Sequence, residues 1–430
     1  MKPTDQLEAL RRLINQSIDT VQQDIALHRD VPLSLEASAS HPIRQRHDEH
    51  VARALKSLAS SGTMLRALSH PHAWLNDICF GSCDLTALLV ACEIDTANLL
   101  SRGALDARSI ANKTGIDADS ITRHLRALCN LYIFSEEAPN VFRNNELSLM
   151  LQPEAVRALV GFLANEGRMA SSKQWEVLAQ DSGSGRKTAF QVAYDTDLSV
   201  YDYWKHVRPD WGKRAAKAFS SNVNNLEQYL ALYPWAKEED GALVVDVGGG
   251  IGGATLPIVR RFPKLRVKVQ DREENREGFE EYLENEFPDV AAVDGASFEE
   301  QDYFEANKTR NADIYLLRHI VHNWPDEEAS KLLRNVAAAM TRRSKLLLCE
   351  CVVHAAHRGA SHASYTAPEP LLANWGQTYT SRVDLMMQAM LDARQRSQDE
   401  FEALVAGAGL VVTRVWRNMG EEAMVECRLL

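Results

Sequence analysis

The sequence predicts an α/β protein: a Rossmann-like sheet, mostly parallel with its last strand antiparallel, preceded by an α-rich region containing a winged helix. Three observations predict it. In the second half of the chain, short β-rich runs ("ALVVDV", "LRVKVQD", "ADIYLL", "KLLLCECVV") alternate with helical segments, as in a parallel sheet. The last two runs, "LVVTRVW" and "AMVECRLL", are joined only by the hairpin-length "RNMGEE", so the final strand runs antiparallel. Upstream, "DARSIANKTGIDADSITRHLRALCNLYIFSEEAPNVFRNN" reads as helix, glycine turn, helix and two-strand wing.

Residues 1–75 carry helical apolar spacing such as "LEALRRLINQSI", interrupted by the polar, proline-bearing "HRDVPLSLEASASHPIRQRHDEH", and are expected to form a helical N-terminal extension. Residues 76–180 are expected to form the winged-helix domain. Within it, residues 83–100 read as one apolar helix, Asp119 or Ser120 caps the second helix of the motif, and Pro139 and Asn140 turn the wing. Residues 181–430 hold the sheet, entered through the aromatic-rich helices of "TAFQVAYDTDLSVYDYWKHVRPDWGKRAAKAF".

Composition narrows the function. A chain of 430 residues has room for two or three domains, and 45% hydrophobic with 25% charged residues is a globular composition. A net charge of −11 works against phosphate-backbone binding. The winged helix itself is neutral, with five basic and five acidic residues between Leu105 and Asn145, so packing or dimerisation is expected there and no nucleic-acid partner. The start "MKPTDQLEALRRL" has no apolar leader, and apolar runs such as "LTALLVAC" are too short to span a bilayer; a cytoplasmic protein without a membrane partner is expected. The seven scattered cysteines read as reduced thiols, and Cys79 and Cys83 lack a second pair for a zinc site.

"LVVDVGGGIGGATLPIVRRF" is a buried strand, a glycine-rich turn and a helix. Gly248, Gly249 and Gly250 let the backbone turn tightly and approach a ligand closely. Asp271 ends the next strand, eighteen residues after Gly253, where a carboxylate meets ribose hydroxyls. Both NAD and S-adenosylmethionine (SAM) want that acid. Asp246, two residues before the first glycine, favours a cationic ligand over a pyrophosphate, and Asp302 in "EEQDYFEA" falls where a third strand would end, on the adenine side.

With these motifs in order, "DVGGGIGG", "QDYF", "ADIYLLRHIVHNWPDEEA", "KLLLCE", "VDLMMQAML" and "DEFEALVAGAGL", the chain from about residue 60 to the end resembles the SAM-dependent O-methyltransferases of plant caffeate type and fungal secondary metabolism. The resemblance implies a homodimer built on the winged helix and a class I methyltransferase fold. It also implies SAM as cofactor, released as S-adenosylhomocysteine (SAH), with no metal. The implied cofactor residues are the Gly248 loop, Asp271, Asp302 and Arg318. His322 is the implied base, Glu350 its orienting acid. Phe190, Asn323, Trp324, Met386 and Met387 are implied to line a pocket for an aromatic or polyketide acceptor.

The chemistry suits these residue types. A neutral phenol is a poor nucleophile near neutral pH, and an imidazole within hydrogen-bond reach of the hydroxyl contributes about 10²- to 10⁴-fold. A carboxylate that holds its tautomer makes the imidazole a better base. His319 and His322, three apart, could form a metal pair, but no carboxylate lies at ligand spacing, and His319, inside the strand, is expected to be packed or hydrogen-bonded rather than catalytic. The chain departs from the family in two places: Asn323 stands for an Asp, and Gln395 falls near a second supporting Glu. These losses raise an alternative, a methyltransferase-like enzyme of secondary metabolism that catalyses a SAM-assisted pericyclization or dehydration. A SAM-sensing regulator is a third, disfavoured by the neutral winged helix.

Overall fold

The computed structural model describes all residues except 1–2, 28–32, 37–42, 44–47, 181–185, 221–225, 360–365 and 377. Most of the expected connector after the first helix lies outside the described residues. The chain divides into two compact units, residues 1–168 with 356–376, and residues 169–355 with 377–430. The return of 356–376 to the first unit is invisible to a linear domain boundary such as 180/181.

In the first unit, helices Pro3–Ala26 and Glu49–Ser69 pack through Val21, Ile43, Val51 and Ala54, the second helix capped by the Asp48 carboxylate on the N–H groups of His50 and Val51. Ser60 Oγ donates to the Trp375 carbonyl at 2.9 Å, tying the returning segment to that helix. The winged motif consists of strand β1 (Leu105–Asp106), helices Ala107–Thr114 and Ala118–Cys129, and strands β2 (Ser135–Ala138) and β3 (Val141–Arg143), paired antiparallel in the order β1, β3, β2. Its core is Ile110, Ile121, Leu125, Leu128, Phe134 and Phe142. The second helix is capped by Asp117, whose side chain accepts from Ser120 N, rather than by Asp119 or Ser120: the cap residue must be extended, and Asp119 already lies within the first turn.

Two further expectations change here. The apolar helix is Pro71–Glu93, not 83–100; Pro71 starts it, and Asp95 at φ +53° breaks the chain before the short Thr96–Leu99 helix. With 23 residues it is long and apolar enough to cross a membrane by length and composition, correcting the expectation drawn from "LTALLVAC" alone. Its apolar residues are mostly not covered by this chain: Leu75, Ile78 and Phe80 are 60%, 61% and 64% exposed.

The second unit is built on strands β4 (Leu243–Val247), β5 (Arg266–Asp271), β6 (Ala296–Glu300), β7 (Ile314–Arg318), β8 (Lys345–Val353), the short β9 (Arg396–Ser397), β10 (Leu410–Arg417) and β11 (Glu422–Leu429). Their order is β10, β11, β8, β7, β4, β5, β6, with β9 beside the end of β8. All neighbours from β8 to β6 are parallel; β11 is antiparallel to both β8 and β10. The central strands are buried on both faces. Val245, Tyr315, Leu317 and Leu346 pack with helices Asp326–Ala339 and Gln398–Ala406 on one side, while Val244, Val267, Ile314 and Leu316 pack with Tyr229, Leu256 and Phe279 on the other. Strand order reverses at β4, so the carboxyl ends of β4, β5 and β7 frame the crevice where open α/β sheets hold ligands.

Candidate active site

After β4 the chain turns through Gly248 and Gly250, at φ +75° and +58°. A Cβ on Gly248 would stand 2.7 Å from Ile320 Cδ1, and one on Gly249 would stand 2.4 Å from Asp246 Cγ, so these two positions are closed to side chains, while Gly250 has open space and is set apart by its positive φ. Gly248 N and Gly249 N donate to the Gln270 carbonyl at 2.8 and 3.1 Å, and Gly250 N to Asp271 Oδ2 at 2.7 Å. Asp271 also accepts from Arg272 N at 2.7 Å and Asn275 Nδ2 at 2.8 Å, yet burial holds its carboxyl above the usual range. Asp246 is 1% exposed and accepts from Thr255 Oγ1 at 2.7 Å. Burial lifts it to about 7, which a cationic ligand would reverse.

Asp302 is exposed two residues beyond β6, its Oδ1 accepting from Phe304 N at 2.8 Å. Arg318 ends β7, donating to Glu422 Oε1 at 2.6 Å, with its guanidinium 5.0 Å over the Tyr229 ring.

Beyond β7 the backbone bends at His319, held at φ +56° with its N–H on the Cys349 carbonyl, into the Val321–Asn323 turn that carries His322. Glu350, fully buried on β8, organises this turn. Its Oε1 accepts from Ile320 N at 3.1 Å and Val321 N at 2.9 Å; its Oε2 lies 3.2 Å from His322 Nδ1 and 3.7 Å from His319 Nδ1. The Gln395 amide meets His322 Nδ1 at 2.7 Å, and His319 Nε2 meets Glu422 Oε1 at 2.6 Å. The two imidazoles stack with centroids 5.1 Å apart.

Charge divides between the rings. Burial pulls His322 down to about 4, against the Glu350 carboxylate and with the help of neighbouring His319. Burial also works against charge on His319, but Glu350 and Glu422 together hold it above the usual imidazole range. Burial would raise Glu422; Arg318 and His319 instead bring it to about 2. His319, His322 and Glu350 are the one group among the described residues close enough to meet a single cation. Glu350 Oε1 serves the backbone of the turn, while Glu350 Oε2 and His319 Nδ1 are buried without a hydrogen-bond partner, their nearest polar neighbours being each other and His322 Nδ1.

A family model for an O-methyltransferase domain matches residues 228–411, and one for an O-methyltransferase dimerisation domain matches residues 76–153. The "3-O-methyltransferase 2" of Phanerochaete chrysosporium is 30% identical, covering 98% of this chain and 97% of its own. The chain belongs to the SAM-dependent O-methyltransferases. Among solved structures, the mitomycin 7-O-methyltransferase MmcR is 26% identical with a TM-score of 0.65, over 86% of this chain and 100% of its own. A structure titled "A Pericyclic Reaction enzyme" shares the fold at a TM-score of 0.72 and 19% identity, over 96% of this chain and 100% of its own.

In this methyltransferase the glycine loop, Asp246, Asp271 and Arg318 gather at one sheet edge, and His322 and Glu350 stand side by side beyond β7 and across β8. The loop and the acids fit SAM: glycine backbone beside two carboxylates, Asp246 and Asp271, whose hydrogen-bond donors are all neutral. Trp324 stacks near Tyr201 at 6.4 Å and lies edge-on to Phe304 at 4.7 Å; Asn323 Nδ2 donates to the His319 carbonyl at 2.9 Å. Met386 and Met387 are half-buried on the Thr378–Leu391 helix, which packs against the Val321–Asn323 turn and the Ala189–Ala193 helix. Phe190 is fully buried against Tyr194 and Tyr203. Sequence reasoning missed Glu422 and Arg396, whose guanidinium donates to the carbonyls of Val321 and Trp324 and pins the histidine turn. Only the position of Arg396 beside Gln395 hinted at it.

Proposed function

We propose that the protein transfers the methyl group of SAM to a phenolic or enolic hydroxyl of a small aromatic or polyketide metabolite, without a metal, with His322 as general base and Glu350 as its orienter. The observation that carries this is the pair of groups at His322 Nδ1, Glu350 Oε2 at 3.2 Å and the Gln395 amide at 2.7 Å, which would hold a proton on that nitrogen and leave Nε2 for the acceptor. SAM supplies an electrophilic methyl carbon; alignment and proton removal are the protein's part. Asp271 would hold the ribose hydroxyls, Asp246 and the glycine loop the cationic end, Asp302 the adenine side, and Arg318 would complete that edge. Phe190, Asn323, Trp324, Met386 and Met387 would bound the acceptor. The exposed Leu75, Ile78 and Phe80, in and beside the matched dimerisation domain, support a homodimer, read here as cytoplasmic and independent of nucleic acid and membrane.

The test is SAH release with SAM over a panel of phenols and aromatic polyketides. His322→Ala is expected to lower turnover about 10²- to 10⁴-fold while SAM affinity by calorimetry stays within about twofold; equal turnover removes His322 from the mechanism. A second reading, a non-methylating rearrangement assisted by bound SAM, is favoured by Asn323 and Gln395 standing where the family has acids. Product formed with SAM unconsumed would establish it.

A further inference from the structure

The surroundings of His322 constrain the hydroxyl it serves, an inference that rests on the methyl-transfer reading and narrows its substrate. Glu350 is a single carboxylate with many claims on it: three backbone N–H groups at Oε1, and two imidazoles near Oε2, 3.2 and 3.7 Å away. The second group at His322 Nδ1 is the amide of Gln395, at 2.7 Å. With the proton on Nδ1, a half-turn of that amide brings its oxygen to accept it, which also satisfies an Oε1 otherwise buried without a hydrogen-bond partner. The amide brings no charge in either orientation.

The other ionisable groups around the turn add no negative excess. His319 stacks on His322 and is paired with Glu422, itself paired with Arg318; Arg396 backs the turn and pairs with Asp326 at 2.7 Å; Asp384 accepts the Gln395 N–H at 2.7 Å. An imidazolium at His322 would be supported by little more than its share of Glu350.

We propose that the acceptor hydroxyl is conjugated with a carbonyl, as in an enol of a dicarbonyl or a hydroxyquinone-type phenol, because a base backed by one shared carboxylate and a neutral amide takes a proton readily only from an acidic hydroxyl. The acceptor oxygen forms its bond to the methyl carbon as the methyl–sulfur bond breaks and leaves its electron pair on sulfur. The hydroxyl proton passes to His322 Nε2 and then to solvent. Gln395 is a positioning residue that sets how acidic the acceptor must be.

The test compares 1-naphthol with 2-hydroxy-1,4-naphthoquinone, similar in size and far apart in acidity, in wild type and Gln395→Glu. In wild type, kcat/KM for 1-naphthol is expected to climb about tenfold per pH unit between about pH 6 and 9, following ionisation of the phenol itself, while the naphthoquinone profile stays flat. Gln395→Glu, which restores a second carboxylate, is expected to flatten the 1-naphthol profile and raise its rate ~10-fold or more near pH 7. A flat 1-naphthol profile in wild type, or a Gln395→Glu profile that still climbs, overturns the proposal and leaves methyl transfer standing. No methylated product from either probe with SAM bound counts instead against methyl transfer. ¹⁵N-histidine NMR then decides the proposal alone: near pH 6, His322 neutral in wild type and imidazolium in Gln395→Glu supports it, and imidazolium in wild type overturns it.

Discussion

Two charged regions share one end of the sheet and are built in opposite ways. Around the glycine loop, buried Asp246 and part-buried Asp271 accept from neutral donors, Thr255, Asn275 and backbone N–H groups, and neither forms an ion pair among the described residues. Around the histidine turn, two imidazoles, two carboxylates and an arginine are paired at short range. In the first region Arg318 and Arg272 act on the acids without pairing with them among the described residues, and both carboxyls stay above their usual range. The second carries its own counterions and keeps its geometry before any ligand arrives. Burial therefore has different consequences: in the loop it raises carboxyls that have no charged partner, and in the turn it packs an imidazole between groups that fix its orientation.

The largest effect should come from breaking the self-compensated region. Glu350→Ala leaves two histidines without their nearby carboxylate and three backbone N–H groups without their common acceptor, and should cost ~3–5 kcal/mol in urea unfolding besides most turnover. A loss near zero would mean the turn is held by Arg396 alone.

A smaller, pH-dependent effect is expected at the loop. Asp246 rises from an ordinary 3.8 to about 7 in the folded protein, so the folded state holds that proton more firmly than the unfolded chain. Its contribution therefore makes stability fall as pH rises from 3.8 to about 7, while SAM affinity, which favours the anion, rises across the upper part of that window. Asp246→Asn should flatten both trends, weaken SAM by ~10-fold near pH 8 and stabilise the ligand-free protein there, read by calorimetry and thermal melting. Affinity independent of pH in wild type would take Asp246 out of cofactor binding. The smallest effect expected is that of chelation: dialysis against EDTA should leave turnover within about twofold, and loss restored by a divalent ion would turn the His319, His322 and Glu350 cluster into a metal site.

The conformation of the loop was largely legible in sequence, because a strand, a tight turn and a helix are contiguous and Gly248 and Gly249 answer local steric demands. Asp271 was legible for the same reason, one βα unit further on. The winged motif was readable as helix, turn, helix and wing, though the cap proved to be Asp117, since the backbone conformation that defines a cap is not written in residue type alone. Motif order singled out His322 and Glu350, which the fold brings together, and His319 is hydrogen-bonded as expected, while its positive φ and its partner Glu422 follow from a bend that sequence spacing does not encode.

By itself the sequence determined the alternation of strands and helices, the glycine turn, the acids at successive strand ends and the antiparallel close of the sheet, all set by periodicity and turn chemistry within a few tens of residues. The tertiary structure alone decided what surrounds the base. Gln395 reaches His322 from 73 residues away, Arg396 pins its turn from 75, and Glu422 reaches His319 from 103. Those meetings depend on β8 lying between β7 and β11, a pairing fixed by burial of whole strand faces rather than by any local pattern.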